Sequence, residues 1–218
     1  MRSIGVFCTF VFSLGGLAGA ASLPHPVNPD KALNMLMAGN ARYVAGHTLH
    51  PDQSKARQLE VEGGQTPFAV VLGCADSRVP PELIFDQGLG DLFVIRVAGN
   101  VTDDAITASM EYAVEHLGTS LIMVLGHEKC GAVTASVKGG EVPGHLPSIV
   151  GHMRPAVEEA KAMAGDAVSN CVRVNVQHVV RELRHSEPIL KELVEAGKVK
   201  IVGARYDLHT GKVIPVED

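Results

Sequence analysis

Residues 68–73 read FAVVLG, an apolar run that ends on glycine and is followed at once by Cys74-Ala75-Asp76-Ser77-Arg78. A run this short, apolar at nearly every position and bounded by polar segments, fits a strand buried on both faces. Working outward, two more such runs follow, LFVIRV at residues 92–97 and LIMVL at residues 121–125, and a fourth covers residues 199–205. Helical segments stand between them. Thr102-Asp103-Asp104 caps one that runs to His116 and stops at Gly118. Residues 131–137 form another, closed by Gly139-Gly140, and residues 147–164 and 168–184 form two more. Ser186 caps a short helix with Pro188 in its first turn. Upstream, Asn28-Pro29-Asp30 opens a helix carrying Ala32, Leu33, Leu36 and Met37 at helical spacing. Residues 46–65 read as a polar loop or a short helix, and His209-Thr210-Gly211-Lys212 turns into a last strand ending near Val216. Apolar strands alternating with helices predict an α/β domain. Its central sheet is mostly parallel, with four parallel strands plus a short C-terminal strand, flanked by helices.

The whole chain of 218 residues suits one domain. It is 46% hydrophobic but only 4% aromatic with no Trp, so Val, Leu, Ile, Ala and Met must build the core. The formal charge of -5 comes without a Lys/Arg block, which leaves no footprint for nucleic acid. A small molecule or a second copy of the chain is the expected partner. The N-terminus, MRSIGVFCTFVFSLGGLAGAAS, has a positive start at Arg2, an apolar stretch over residues 4–17 and a small-x-small site at Ala18-Gly19-Ala20. This is the pattern of a cleavable secretory signal. The apolar stretch falls short of the roughly 20 residues of a membrane span, so no stable membrane anchor is expected. The expected division is a signal peptide at 1–20, a spacer at 21–31 and a single domain at 32–218, with the mature protein periplasmic or secreted.

In a parallel sheet, sites lie outside the carboxyl ends of the strands. Cys74 follows the first strand, and Gly126-His127-Glu128-Lys129-Cys130-Gly131 follows the third. His127 and Cys130, three apart at a helix start, lie on one side of it. Two thiolates and an imidazole suit Zn²⁺, and three protein ligands leave a fourth position open, as in catalytic sites. A formally neutral centre of this kind acidifies water less than one built from three imidazoles. Asp76 could compensate by accepting a hydrogen bond from zinc-bound hydroxide, with Arg78 holding the carboxylate in a two-pronged pair. Alternatively, Asp76 could itself take the fourth position in a closed state. Cleavage after Ala20 leaves Cys74, Cys130 and Cys171, an odd number, in a compartment that permits disulfides. A second reading therefore stands beside the first: an exported, non-enzymatic protein with a structural zinc or a Cys74–Cys130 disulfide. The His127-to-Cys130 segment differs from H-E-x-x-H in both residue and spacing, which excludes a zincin. His47, His50, His145 and His152 read as surface groups and Cys171 as a buried one.

C-x-D-S-R at Cys74 to Arg78 and H-x-x-C-G at His127 to Gly131 together resemble the β-class carbonic anhydrases, of an exported bacterial type. The resemblance extends to Gly90-Asp91-Leu92-Phe93-Val94, Arg96 and Glu111-Tyr112-Ala113, and covers the chain from about Ala32 onward. It implies reversible hydration of carbon dioxide to bicarbonate. It implies Cys74, His127 and Cys130 as zinc ligands and Asp76 and Arg78 as the catalytic dyad. Substrate-binding roles would fall to Gln65, Phe93, Tyr112 and Gly131. It further implies a homodimer or dimer of dimers with active sites at the subunit interface and an N-terminal helix wrapped on the partner. Some bacterial members carry a bicarbonate lock that uses a Trp three residues before the first Cys. That position is Val71 here while Arg96 is retained, so an open, water-bound zinc is expected.

Overall fold

The structure, a computed structural model, describes residues 27–217; the expected signal segment lies outside the described residues. The chain begins with helix α1 (Pro29–Ala45) and the short helix α2 (Lys55–Glu60). Strand β1 (Ala69–Gly73), one-turn helix α3 (Pro81–Ile84) and strand β2 (Leu92–Arg96) follow. A 3₁₀ turn at Ala98–Asn100 leads into α4 (Asp104–His116), β3 (Leu121–His127) and α5 (Gly131–Lys138). Then come α6 (Leu146–Lys161), α7 (Ala167–Arg184), α8 (Ile189–Glu195), β4 (Lys200–Tyr206) and β5 (Val213–Val216). The sheet order is β2-β1-β3-β4-β5; only β5 runs antiparallel, so the expected four-plus-one sheet is observed.

Successive side chains of a strand point to opposite faces. Val71, Leu121, Met123 and Leu125 therefore meet one helical layer, with Leu36 of α1 and Met153 of α6. Val70, Leu72, Ile122 and Val124 meet the other, with Met110 of α4, Leu183 of α7 and Leu190 of α8. Each such side chain, fully buried, contributes on the order of 1.5–3 kcal/mol. β1 and β3 are buried along their whole length, as apolar-throughout strands require.

α7 presses close because the strands beneath it carry glycine where it crosses. A Cβ at Gly126 or Gly203 would sit 2.7 Å from a methyl group of Val176. On the other face, α1 is capped by the Asn28 side chain, which accepts from the Asp30 and Lys31 N–H groups. The helix opens at Pro29 behind the Asn28 cap, as the Asn28-Pro29-Asp30 reading expects. It lies on its own chain: Ala32 and Leu36 are fully buried, and Asn40 donates to the carbonyls of Ile84 and Gly211. Any wrapping on a partner would use its other face. Two local readings shift. Pro188 rather than Ser186 is the N-cap of α8, without a side-chain bond, and residues 55–60 resolve as helix α2.

Candidate metal centre and active site

The carboxyl ends of β1 and β3 bring the sequence-predicted ligands together. His127 is the last residue of β3, in register with Tyr206 of β4, while Cys74 follows β1 directly and Cys130 is the N-cap of α5. The two thiol sulfurs are 4.0 Å apart, and they and a His127 ring nitrogen all lie within 4.8 Å of one another. All three residues are buried. The separation is about twice a disulfide bond and close to the edge of a zinc tetrahedron, about 3.8 Å for Zn–S bonds of ~2.3 Å. His127 Nδ1 stands 2.8 Å from the Glu128 carbonyl oxygen, which only accepts, so Nδ1 is the donor. Nε2 is left with a lone pair, buried and without a hydrogen-bond partner among the described residues. A buried nitrogen lone pair facing two thiols is costly unless a cation takes it up, and the donor set fits zinc.

Electrostatics support the same reading. The Cys74 thiol is pulled down to about 4, chiefly by the hydrogen bond from Cys130 and against burial, with the Gly99 N–H also helping. Cys130 is pushed up by that same bond and by burial. A metal bound here would take both sulfurs as thiolates and displace their protons.

Asp76 stands at the rim of this group, its Oδ2 3.9 Å from His127 Nε2. Arg78 grips it with two prongs, Nε to Oδ1 at 2.9 Å and Nη2 to Oδ2 at 2.7 Å, and the Arg78 backbone N–H adds a third bond to Oδ1. These bonds, the side-chain ones first, hold the Asp76 carboxyl well below the ordinary carboxylate range. Arg78 Nη2 also donates to the Lys129 carbonyl and so joins the two ligand-bearing loops. Arg96 donates to the carbonyl oxygens of Cys74 (2.9 Å) and Asp76 (2.6 Å), clamping the first loop from β2.

The remaining predicted residues lie elsewhere in the chain. Gln65 is exposed and precedes the amino end of β1, so the length of the strand separates it from Cys74. Phe93 and Tyr112 pack against each other, ring centres 6.3 Å apart. Phe93 belongs to the opposite sheet face from Cys74 and Cys130, and Tyr112 is 48% exposed. Gly131 does sit at the site, as the first residue of α5 with open space where a side chain would be. An apolar groove of about 350 Å³ between α1 and β4–β5 contains none of the candidate site residues. The chemistry, not that groove, marks the site.

A sequence model of the family described as "Carbonic anhydrase" matches residues 69–213, a span that holds every ligand and dyad residue named above. The chain belongs to the β-class carbonic anhydrases. It is 43% identical over 190 residues to the carbonic anhydrase of Mycolicibacterium smegmatis, covering 85% of this chain and 92% of that one. Carbonic anhydrase 2 of Mycobacterium tuberculosis is 41% identical over 191 residues, covering 86% and 92%. Among solved structures, a tetrameric β-carbonic anhydrase from Sordaria macrospora superimposes with a TM-score of 0.68 at 26% identity, covering 87% of this chain and 95% of that one. The Coccomyxa β-carbonic anhydrase in complex with acetazolamide gives 0.66 at 27%, covering 86% and 82%.

Within this carbonic anhydrase some supporting residues escape a sequence reading. Glu128 accepts at its carbonyl from His127, is tied through its N–H to the Tyr206 carbonyl, and pairs through its side chain with Arg205. Gly99 donates its N–H to Cys74 Sγ at 3.3 Å. The ties of Glu128 to Tyr206 and Arg205, and that of Gly99 to Cys74, reach across the fold, and no local spacing signals them.

Proposed function

We propose that this carbonic anhydrase is an exported zinc enzyme that hydrates carbon dioxide reversibly, with Cys74, His127 and Cys130 holding the metal and the Asp76–Arg78 pair serving the reaction. The observation that carries the reading is the unpaired, buried Nε2 of His127 facing two thiols. Zinc bound there supplies a Lewis acid that makes water nucleophilic near neutral pH. Asp76 then accepts a hydrogen bond from the nucleophile at Oδ2 and aims its lone pair at the carbon of the substrate. Because Arg78 keeps that carboxylate ionised, Asp76 orients without storing the proton. The two-pronged pair with Arg78 would compete with a metal for the Asp76 carboxylate and so favour an accessible fourth position; Val71 in place of Trp agrees with this. The open side at Gly131 gives carbon dioxide a way in.

Gln65, Phe93 and Tyr112 stand away from their own chain's site, and the β2 edge of the sheet is unpaired and only half-buried. A homodimer through that edge would let each copy lend these residues to the other's site. Residues 1–20 act as a cleaved export signal, so the mature chain works in the periplasm or outside the cell. Intact mass of the exported protein checks the cleavage point. For the mature chain, zinc content and stopped-flow carbon dioxide hydration are measured beside Cys74→Ser and Asp76→Asn. We expect about one zinc per chain in wild type and Asp76→Asn, and much less in Cys74→Ser. Hydration falls on the order of 10²-fold or more in Asp76→Asn. Metal-free protein with native activity in both variants sinks the proposal, while zinc without hydration favours a structural metal.

A further inference from the structure

Cys74 Sγ accepts a backbone hydrogen bond from Gly99, and that N–H belongs to an unusual piece of chain. Gly99 (φ 77°) and Asn100 (φ 43°) are consecutive left-handed residues inside the Ala98–Asn100 turn. Such conformations persist only where the surroundings over-determine them. Gly99 is also close to α6: a Cβ there would meet the Met153 methyl group at 2.9 Å, so Met153 would have to shift. The polar restraint comes from α7, 76 residues further along. Asn175, 3% exposed, donates from Nδ2 to the Gly99 carbonyl at 3.0 Å. Asn175 is polar among buried valines, flanked by Val174 and Val176, both fully buried. Such a residue is tolerated in a core when its bonds are made, and here its donor is directed at the turn that touches a ligand sulfur.

We infer that Asn175 is a positioning residue for the metal centre: it fixes the Ala98–Asn100 turn so that the Gly99 N–H stays on Cys74 Sγ. The inference rests on the zinc reading above. Hydrogen bonds to a ligating sulfur orient it and tune how strongly it donates to the metal, and losing an outer partner of this kind typically costs 10–100-fold in metal affinity or activity. Asn175 touches neither metal nor substrate; it acts through Gly99.

The test uses the mature chain loaded with zinc, and separately with Co²⁺ as a spectroscopic stand-in. Asn175→Leu removes the hydrogen bond at similar volume, and Asn175→Asp keeps the shape but loses the donor, so either carries the test if the other folds poorly. Val179→Ala, one turn along the same helix but in the core cluster that excludes Cys74 and Cys130, serves as a loss of packing that leaves the Asn175–Gly99 bond in place. Zinc transfer to a chelator is expected to be about tenfold or more faster in the Asn175 variants. Their cobalt–thiolate charge-transfer band is expected to shift, whereas Val179→Ala leaves both at wild-type values while lowering Tm. Wild-type chain that takes up neither metal overturns the zinc reading and this inference with it. Wild type that holds zinc no longer than Asn175→Leu, or an unshifted cobalt band, overturns this inference alone.

Discussion

A carboxylate gripped at both oxygens by one guanidinium is a rigid object, and Asp76 is gripped in that way at the rim of the ligand group. Arg78 itself is half exposed, so its pairing contributes little to stability; its importance is geometric. We predict that Arg78→Ala leaves zinc content unchanged but lowers kcat for hydration by about 10–100-fold. Asp76→Asn and Arg78→Ala together should cost far less than the product of the two single losses, because they act as one unit. Fully multiplicative losses in a double-mutant cycle would contradict that coupling. At this scale the sequence was informative. Cys74, Asp76, Arg78, His127 and Cys130 each stand within five residues of the carboxyl end of an apolar run, so a strand reading and the strand-end rule together bring them to one place. Arg96, Asn175 and Arg205 were opaque in their roles, since their partners lie 20 or more residues away and depend on the register of the sheet.

Elements, rather than single residues, decide how well that place is held. α7 crosses β3 and β4 over Gly126 and Gly203, with Val176 filling the space a side chain would need. Gly203→Ala should destabilise by about 1–3 kcal/mol through overpacking. Adding Val176→Ala should restore part of the loss, read as a positive coupling in urea unfolding. A second junction ties α1 to the segment before α2. Asp86 accepts from Arg42 Nε at 2.6 Å and from the N–H groups of Leu49 and His50, both at 3.0 Å. Burial pushes the Asp86 carboxyl up, but these partners outweigh it and hold it below the usual carboxylate range. A folded pKa below the unfolded one means the stabilisation is complete above about pH 4 and is lost as pH falls through the folded value. The Tm difference between wild type and Asp86→Asn should thus be constant from about pH 8 to 5 and shrink below about 4. The long helices and all five strands were legible from periodicity and caps. The four-residue α3 was not, since one turn following Pro80 and Pro81 carries no period to read. The start of α8 moved because Ser186 offers its carbonyl, not its side chain, to the helix, accepting from the Lys191 N–H.

At the scale of the whole molecule, one subunit brings together Cys74, His127, Cys130 and the Asp76–Arg78 pair, while Gln65, Phe93 and Tyr112 stand apart from them. A dimer through β2 would reunite the two sets. Val94, half-buried in that strand, is the place to break it, because a lysine on an edge strand blocks pairing. Val94→Lys should elute as a monomer in size-exclusion chromatography with light scattering, keep its zinc and lose hydration activity by at least about tenfold. A fully active monomer would rule out a shared site. The two borders of the sheet are also unlike each other. β2 offers an apolar, unpaired border, whereas β5 is four residues long, antiparallel and interrupted by Pro215. A sheet able to extend at both borders is a template for fibrils. This one can extend at one border only, and two copies joined there by a twofold axis have none left. In the proposed dimer, the same asymmetry would terminate growth at a closed pair and so protect a Val-rich fold from aggregation through its own strands.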